Sequence, residues 1–194
     1  MKVLIACEFS GIVRSAFEKK GHDSWSCDLE PSRLKGNHIQ DNVLNHLDKG
    51  WDLMIAHPPC TYICRASARW LYKNKKLNMD RYTKGLQAKE FFLKLLNAPI
   101  HKIAVENPTP LKTFKLPRHT MSIQPYHFGE TFSKKTLFCL KNLPLLKQLN
   151  DKPLQKTSYY KQYIIDNNVR GSDRSITSSK VANAMANQWG LYEL

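Results

Sequence analysis

Lys2-Val3-Leu4-Ile5-Ala6-Cys7-Glu8-Phe9-Ser10-Gly11-Ile12-Val13-Arg14-Ser15-Ala16-Phe17 is the stretch that decides the fold. Its compact apolar start predicts a buried strand, Glu8-Phe9-Ser10-Gly11 a tight loop, and Ile12, Val13, Ala16 and Phe17 the apolar face of a helix that ends at Gly21. Strand, loop and helix in immediate succession form the opening unit of a parallel α/β sheet. The pattern recurs downstream. Residues 23–27 predict a second strand running into Asp28-Leu29-Glu30-Pro31, and residues 51–56 a buried strand stopped by the prolines at 58 and 59. A helix is expected over 81–97, with Leu86, Phe91 and Leu95 at helical spacing, followed by a strand over 100–105 that ends at Glu106-Asn107-Pro108. Residues 122–125 and 136–140 read as two further strands, taken as an antiparallel pair, and 180–189 as a closing helix of small residues. The expected class is α/β, a doubly wound, mostly parallel, Rossmann-like sheet with ligands beyond the carboxyl ends of its strands.

That rule gathers the chemically capable residues. Glu8, Asp28, Glu30, Cys60 and Glu106 each follow a predicted strand, so topology brings them to one edge although the sequence separates them. Cys60 stands directly after Pro58-Pro59, on a loop with little backbone freedom, which suits a nucleophile that must meet its target in one geometry. A buried structural thiol is the competing reading for this residue alone. Glu106, at the end of a later strand, supplies a group that can hydrogen-bond or protonate a substrate that gains electrons as a nucleophile adds to it. His57 reads as a structural hydrogen-bonder before it reads as a tuner of the thiol, and Cys64, one helical turn from Cys60, as a packing residue.

Composition narrows the class. The 194 residues suit one domain spanning 1–194, and 42% hydrophobic with 24% charged residues is the balance of a soluble globular protein. No apolar run approaches the ~20 residues that span a bilayer, and the N-terminus reads as a strand instead of a signal peptide, so a cytoplasmic location is expected. The five cysteines form no CxxC pair and have no neighbouring His cluster, which predicts reduced thiols and no metal site. A net charge of +14 fits a nucleic-acid partner, against generic solubilising charge as the alternative. Arg65, Arg69, Lys73, Lys75 and Lys76 would form a basic face next to Cys60 suited to a phosphate backbone. From about 141 to 174 the chain is rich in Lys, Gln, Asn, Tyr and Pro. With Tyr159-Tyr160 between lysines it reads either as a nucleic-acid-facing insert or as an exposed connector. The oligomeric state is not legible.

In order along the chain, these motifs make the sequence resemble the DNA cytosine-C5 methyltransferase family. Glu8-Phe9-Ser10-Gly11-Ile12 is similar to the family's cofactor loop, Cys27-Asp28-Leu29-Glu30-Pro31 to its acidic ribose motif and Asp41-Asn42-Val43 to its aspartate motif near the adenine. His57-Pro58-Pro59-Cys60 is similar to the Pro-Cys motif, Val105-Glu106-Asn107-Pro108 to the Glu-Asn motif, and Ser179-Lys180-Val181-Ala182-Asn183-Ala184 to the last motif. The resemblance implies a class I fold and S-adenosyl-L-methionine held by Phe9, Ser10, Gly11, Asp28, Glu30, Asp41, Pro58 and Asn183. It further implies catalysis by Cys60 and Glu106, and a DNA partner contacted also by Lys134. The chain departs from the family pattern at Val13-Arg14, where the family has paired glycines, and at Lys134 and Thr136, where it has paired arginines. It also departs at 141–174, a short segment in place of the long target-recognition region. Such compact chains resemble phage- or prophage-encoded members associated with restriction-modification. Two alternatives stand beside this reading: the same chemistry on a free nucleotide or RNA, and a catalytically idle nucleic-acid- or cofactor-binding protein that interferes with a host modification system.

Overall fold

Val3, Leu4, Ile5 and Ala6 are all fully buried, so the first strand (β1, Lys2–Ala6) lies at the centre of a sheet covered on both faces. The structure is a computed structural model that describes residues 1–73, 75–148, 158–159 and 171–191. Six more strands join β1: β2 (Asp23–Asp28), β3 (His38–Gln40), β4 (Leu53–Ala56), β5 (Lys102–Asn107), β6 (Met121–Ile123) and β7 (Thr136–Lys141). Their order is β3-β2-β1-β4-β5-β7-β6. Every pairing from β3 to β5 is parallel, and β7 runs antiparallel to both of its neighbours. A reversed last strand inserted between the fifth and sixth completes an otherwise parallel, Rossmann-like sheet. The doubly wound, mostly parallel α/β class read from the sequence is the observed one.

Alternation along β1 assigns the two cores. Val3 and Ile5 face one side and pack with Leu53 and Ile55 of β4 against two helices, α1 (Ile12–Glu18) and the C-terminal helix Ser179–Trp189. Leu4 and Ala6 face the other side, with Met54, Ile103 and Val105, against Phe92 and Leu95 of the long helix Met79–Leu96. Between them the short helix Ala68–Leu71 follows the loop after β4, so the four helices in chain order are α1, α2 (Ala68–Leu71), α3 (Met79–Leu96) and α4 (Ser179–Trp189). The indole of Trp189 closes the first core, donating to the Pro144 carbonyl at 2.9 Å and meeting Phe138 of β7 edge-on at 5.9 Å between ring centres.

Element ends moved where a side chain found a better partner. The strand expected from residue 51 starts at Leu53, because the Trp51 indole donates to the His46 carbonyl and Asp52 accepts the Lys2 amide, both at 2.7 Å. Helix α3 begins earlier than 81 because Asn78 caps it, accepting from the Arg81 amide. The strand expected over 100–105 is shifted by two residues, which places Glu106 inside β5, opposite Phe138 of β7. Residues 149–157 and 160–170 of the insert lie outside the described residues, as does the reading of Tyr159-Tyr160 as a stacking pair. The backbone of Ser158–Tyr159 runs parallel to Phe132–Ser133. Among the described residues no helix is long and apolar enough to cross a membrane.

Candidate active site

Parallel pairing builds the site. Ala56 of β4 lies opposite Val105 of β5, so one residue further along His57 comes beside Glu106. The His57 ring donates from Nδ1 to Glu106 Oε2 at 2.5 Å, the carboxylate being an acceptor. Both groups are well enclosed, and Nε2 of His57 is buried among the described residues without a hydrogen-bond partner. Burial alone would disfavour the imidazolium. The hydrogen bond and charge of Glu106, helped by the charge of Glu8, outweigh burial and the opposing charge of Lys134, and raise His57 above the ordinary histidine value. Burial likewise works against the Glu106 anion, yet the His57 hydrogen bond, its charge and that of Lys134 hold the carboxyl below the usual range. Lys134, which stands where the resemblance expects an arginine, is itself held below the usual lysine value by burial and supported by Glu106 and Cys60, while its Nζ donates to the Ile176 carbonyl at 3.2 Å.

Cys60 sits on the Pro58-Pro59 loop just past β4, partly exposed. The chain turns once after it, Ile63 and Cys64 both returning their amides to the Cys60 carbonyl at 3.1 Å. That turn sets the two thiols one turn apart, close enough for each to shift the other. The hydrogen bond to Cys64 raises the Cys60 thiol most, followed by burial and by the negative charges of Cys64 and Glu106. Cys64 is lowered, chiefly by the same hydrogen bond, against burial, and with help from the Ser67 and Ala66 amides. The two thiols are thus moved in opposite directions, Cys60 up and Cys64 down.

Glu106 and Lys134 line a cavity of about 490 Å³ at the strand ends. Its walls come from Ile12 at the start of α1, Phe132 and Thr136 around β7, and Val181 and Met185 of α4 with Ser178, which caps that helix. An ion pair of 2.6 Å between Arg33 and Asp173 lies on its rim. Of the residues expected to hold a cofactor, Asp28 and Glu30 stand at the open end of β2. Asp28 accepts the Glu30 amide, and Glu30 is exposed. Two carboxylates so placed fit the hydroxyls of a ribose. Ser10 donates to Glu8, and the Phe9 ring carries the Arg33 guanidinium at 4.8 Å. Gly11 is left-handed, with φ of 74°, where a Cβ would stand 2.7 Å from the Arg14 guanidinium. Val13 and Arg14, in place of the expected glycines, turn fully into the body of the protein; Arg14 donates to Glu18 and to the Leu34 and Lys35 carbonyls.

Other expected residues are not gathered here. The Asp41 carboxylate is taken up within its own turn by the Asn42 amide, Asn45 and His46. Asn183 is exposed on α4, which presents Val181 and Met185, with its cap Ser178, to the cavity instead. Pro58 is buried beside His57, and its part is to stiffen the loop. Arg65, Arg69, Lys75 and Lys76 are exposed around α2 and the two-stranded ribbon Tyr72–Lys73 and Lys76–Leu77; the Lys73 side chain lies outside the described residues. Trp70 is 56% exposed among them, with the Arg69 guanidinium 4.8 Å above its ring. Among the described residues no group of three His, Cys, Asp or Glu is placed to hold a metal ion.

Sequence reasoning missed His57 as the partner of Glu106 and Glu8 as the cap of α1, where its carboxylate accepts from the Val13 amide at 2.6 Å and the Arg14 amide at 3.2 Å. The signal for His57 was parallel register between β4 and β5.

No family model matches the chain, and no curated protein matches it. Among solved structures it is similar to an E. coli protein described as a proposed DNA modification methyltransferase encoded within a prophage. The two are 12% identical with a TM-score of 0.48, over 79% of this chain and 52% of that one, so this chain spans about half the length of that protein.

Proposed function

We propose that the chain is an S-adenosylmethionine-dependent methyltransferase that modifies cytosine at C5 in DNA, with Cys60 as nucleophile and Glu106 as the group that serves N3. The supporting observation is the meeting, at the carboxyl edge of parallel strands, of a thiol and an enclosed carboxylate that feel each other's charge, the carboxylate lining a cavity of about 490 Å³. That volume is within the range of small-molecule sites, roughly 300–1,000 Å³.

The reaction starts with a cytosine swung out of its stack, at a cost of a few kcal/mol that phosphate contacts from the exposed Arg65, Arg69, Lys75 and Lys76 offset. Cys60 passes its proton to the Cys64 sulfur one turn away, the S–H bond breaking at Cys60 and forming at Cys64, and the Cys60 sulfur so freed adds to C6. Glu106 meets N3 as the ring gains electrons, and Lys134 balances the charge behind it. Asp28 and Glu30 would hold the ribose of the cofactor. S-adenosylmethionine, when bound, supplies an electrophilic methyl group to C5. Loss of the C5 proton and expulsion of the Cys60 sulfur restore the ring.

Nucleoside mass spectrometry of DNA incubated with the protein and S-adenosylmethionine tests the reading. 5-Methylcytosine is expected with the parent chain and not with Cys60→Ala. If DNA stays unmodified while cytidine nucleotides or RNA acquire the methyl group, the substrate assignment falls and the chemistry stands. No product on any of them overturns the reading.

A further inference from the structure

Among the described residues the His57 ring bonds Glu106 alone, although it directly precedes the Pro58-Pro59-Cys60 loop. An enclosed ring with one nitrogen on a carboxylate and the other without a partner is costly to keep unless it has a task. The groups around it narrow that task. Glu106 approaches from β5, Glu8 from the loop after β1, and Lys134 from the loop before β7; Cys60, two residues past Pro58, faces Glu106. Two carboxylates and one enclosed ammonium favour an imidazolium at this point.

We propose that His57 is the positioning residue for Glu106 and holds the proton that passes through its carboxyl to the ring nitrogen of the substrate. The inference rests on the methyltransferase reading and deepens it. Glu106 that is an anion at rest has no proton of its own to give, and His57 supplies it. As C6 takes the sulfur, the N–H bond at Nδ1 breaks and an O–H bond forms on the carboxyl. That O–H bond then breaks as an N–H bond forms at N3. His57 ends neutral and Glu106 ends as it began. When the sulfur leaves, the N3 proton returns by the same route. The hydrogen bond also fixes the carboxyl plane, which holds Oε2, the oxygen that receives the proton and passes it on, in one direction.

Two properties separate this role from plain support. In the free protein, 15N-histidine NMR should show His57, identified by its loss in His57→Asn, titrating above the ordinary histidine value, and Glu106→Gln should move that titration down. In turnover, the rate should fall as pH rises through the His57 titration. His57→Asn keeps an N–H donor where Nδ1 stood but no transferable proton. It should lose about tenfold or more in kcat with little change in KM for DNA, and should lack the alkaline limb. His57→Phe, which removes donor and proton, should lose more. A His57 that is neutral throughout the neutral range, or a pH profile unchanged in His57→Asn, overturns the proposal. If the NMR result is as expected but no nucleic acid or nucleotide is methylated, the His57–Glu106 pair stands while the methyltransferase reading, and with it the proton's destination, falls.

Discussion

The Cys60 and Cys64 thiols lie one turn apart, and their surroundings move them in opposite directions, Cys60 up and Cys64 down. Cys60 is raised above all by its hydrogen bond to Cys64, so removing that partner should bring it down. Peptide mass spectrometry of iodoacetamide-treated protein should show Cys60 reacting slowly near neutral pH and gaining rate only well above the ordinary thiol range of about 8.5. In Cys64→Ala the same rise should begin at lower pH, and superimposable profiles would show that the two thiols do not interact. At this scale the sequence was informative where a residue's meaning is local. Cys60 was legible because the two prolines before it and the end of a strand are neighbours in the chain, and Glu106 because a strand leads straight into it. The His57–Glu106 pair was not, because it depends on the alignment of β4 with β5 across an intervening helix, and periodicity carries no information on that alignment. The local partners of the Asp41 carboxylate were likewise not legible, since a short turn rather than a periodic element brings them to it.

Helix α1 shows how an element is fixed by one residue outside it. Its first amides are buried, and Glu8 accepts from two of them as well as from the Ser10 hydroxyl. Glu8→Ala would leave those donors unpaired away from water, at a cost of about 1–3 kcal/mol, visible as a lower urea midpoint with an unchanged slope. Glu8→Gln keeps one acceptor and should lose less; an equal loss in both variants would mean that charge, not hydrogen bonding, is what α1 needs. The long and strongly patterned elements, β1, α1, α3 and α4, were readable because periodicity over many residues reports which face is buried. The edge strand β3 was not. It has three residues, none of them buried, and a strand that short leaves no alternation to read. Boundaries shifted by capping side chains, as at Asn78 and Trp51, belong to the same class of local contacts that composition does not display.

At the scale of the whole molecule, the strand order explains why residues scattered from Glu8 to Lys134 meet: parallel strands deliver their ends to one edge, and the reversed β7 brings the loop that carries Lys134 back to it. Class and site edge followed from the alternation of strands and helices, whereas the cavity walls contributed by α4 required the folded chain. The charge of +14 makes a prediction of its own. Binding to the proposed DNA partner should weaken with salt on a log-log slope of about −0.9 per phosphate contact, with little sequence preference. Neutralising Lys73, Lys75 and Lys76 together should flatten that slope by about 2 to 3, as measured by fluorescence anisotropy on a duplex oligonucleotide. An unchanged slope would move the DNA surface elsewhere. The central claim, that Cys60 attacks the cytosine ring with Glu106 beside it, is tested most directly with DNA carrying 5-fluorocytosine, whose fluorine cannot leave as the C5 proton does. Incubated with S-adenosylmethionine and the parent protein, that DNA should form a denaturation-resistant adduct mapping to Cys60 by peptide mass spectrometry, weakened in Glu106→Gln and absent in Cys60→Ala. No adduct with the parent protein, or one that persists in Cys60→Ala, would contradict it.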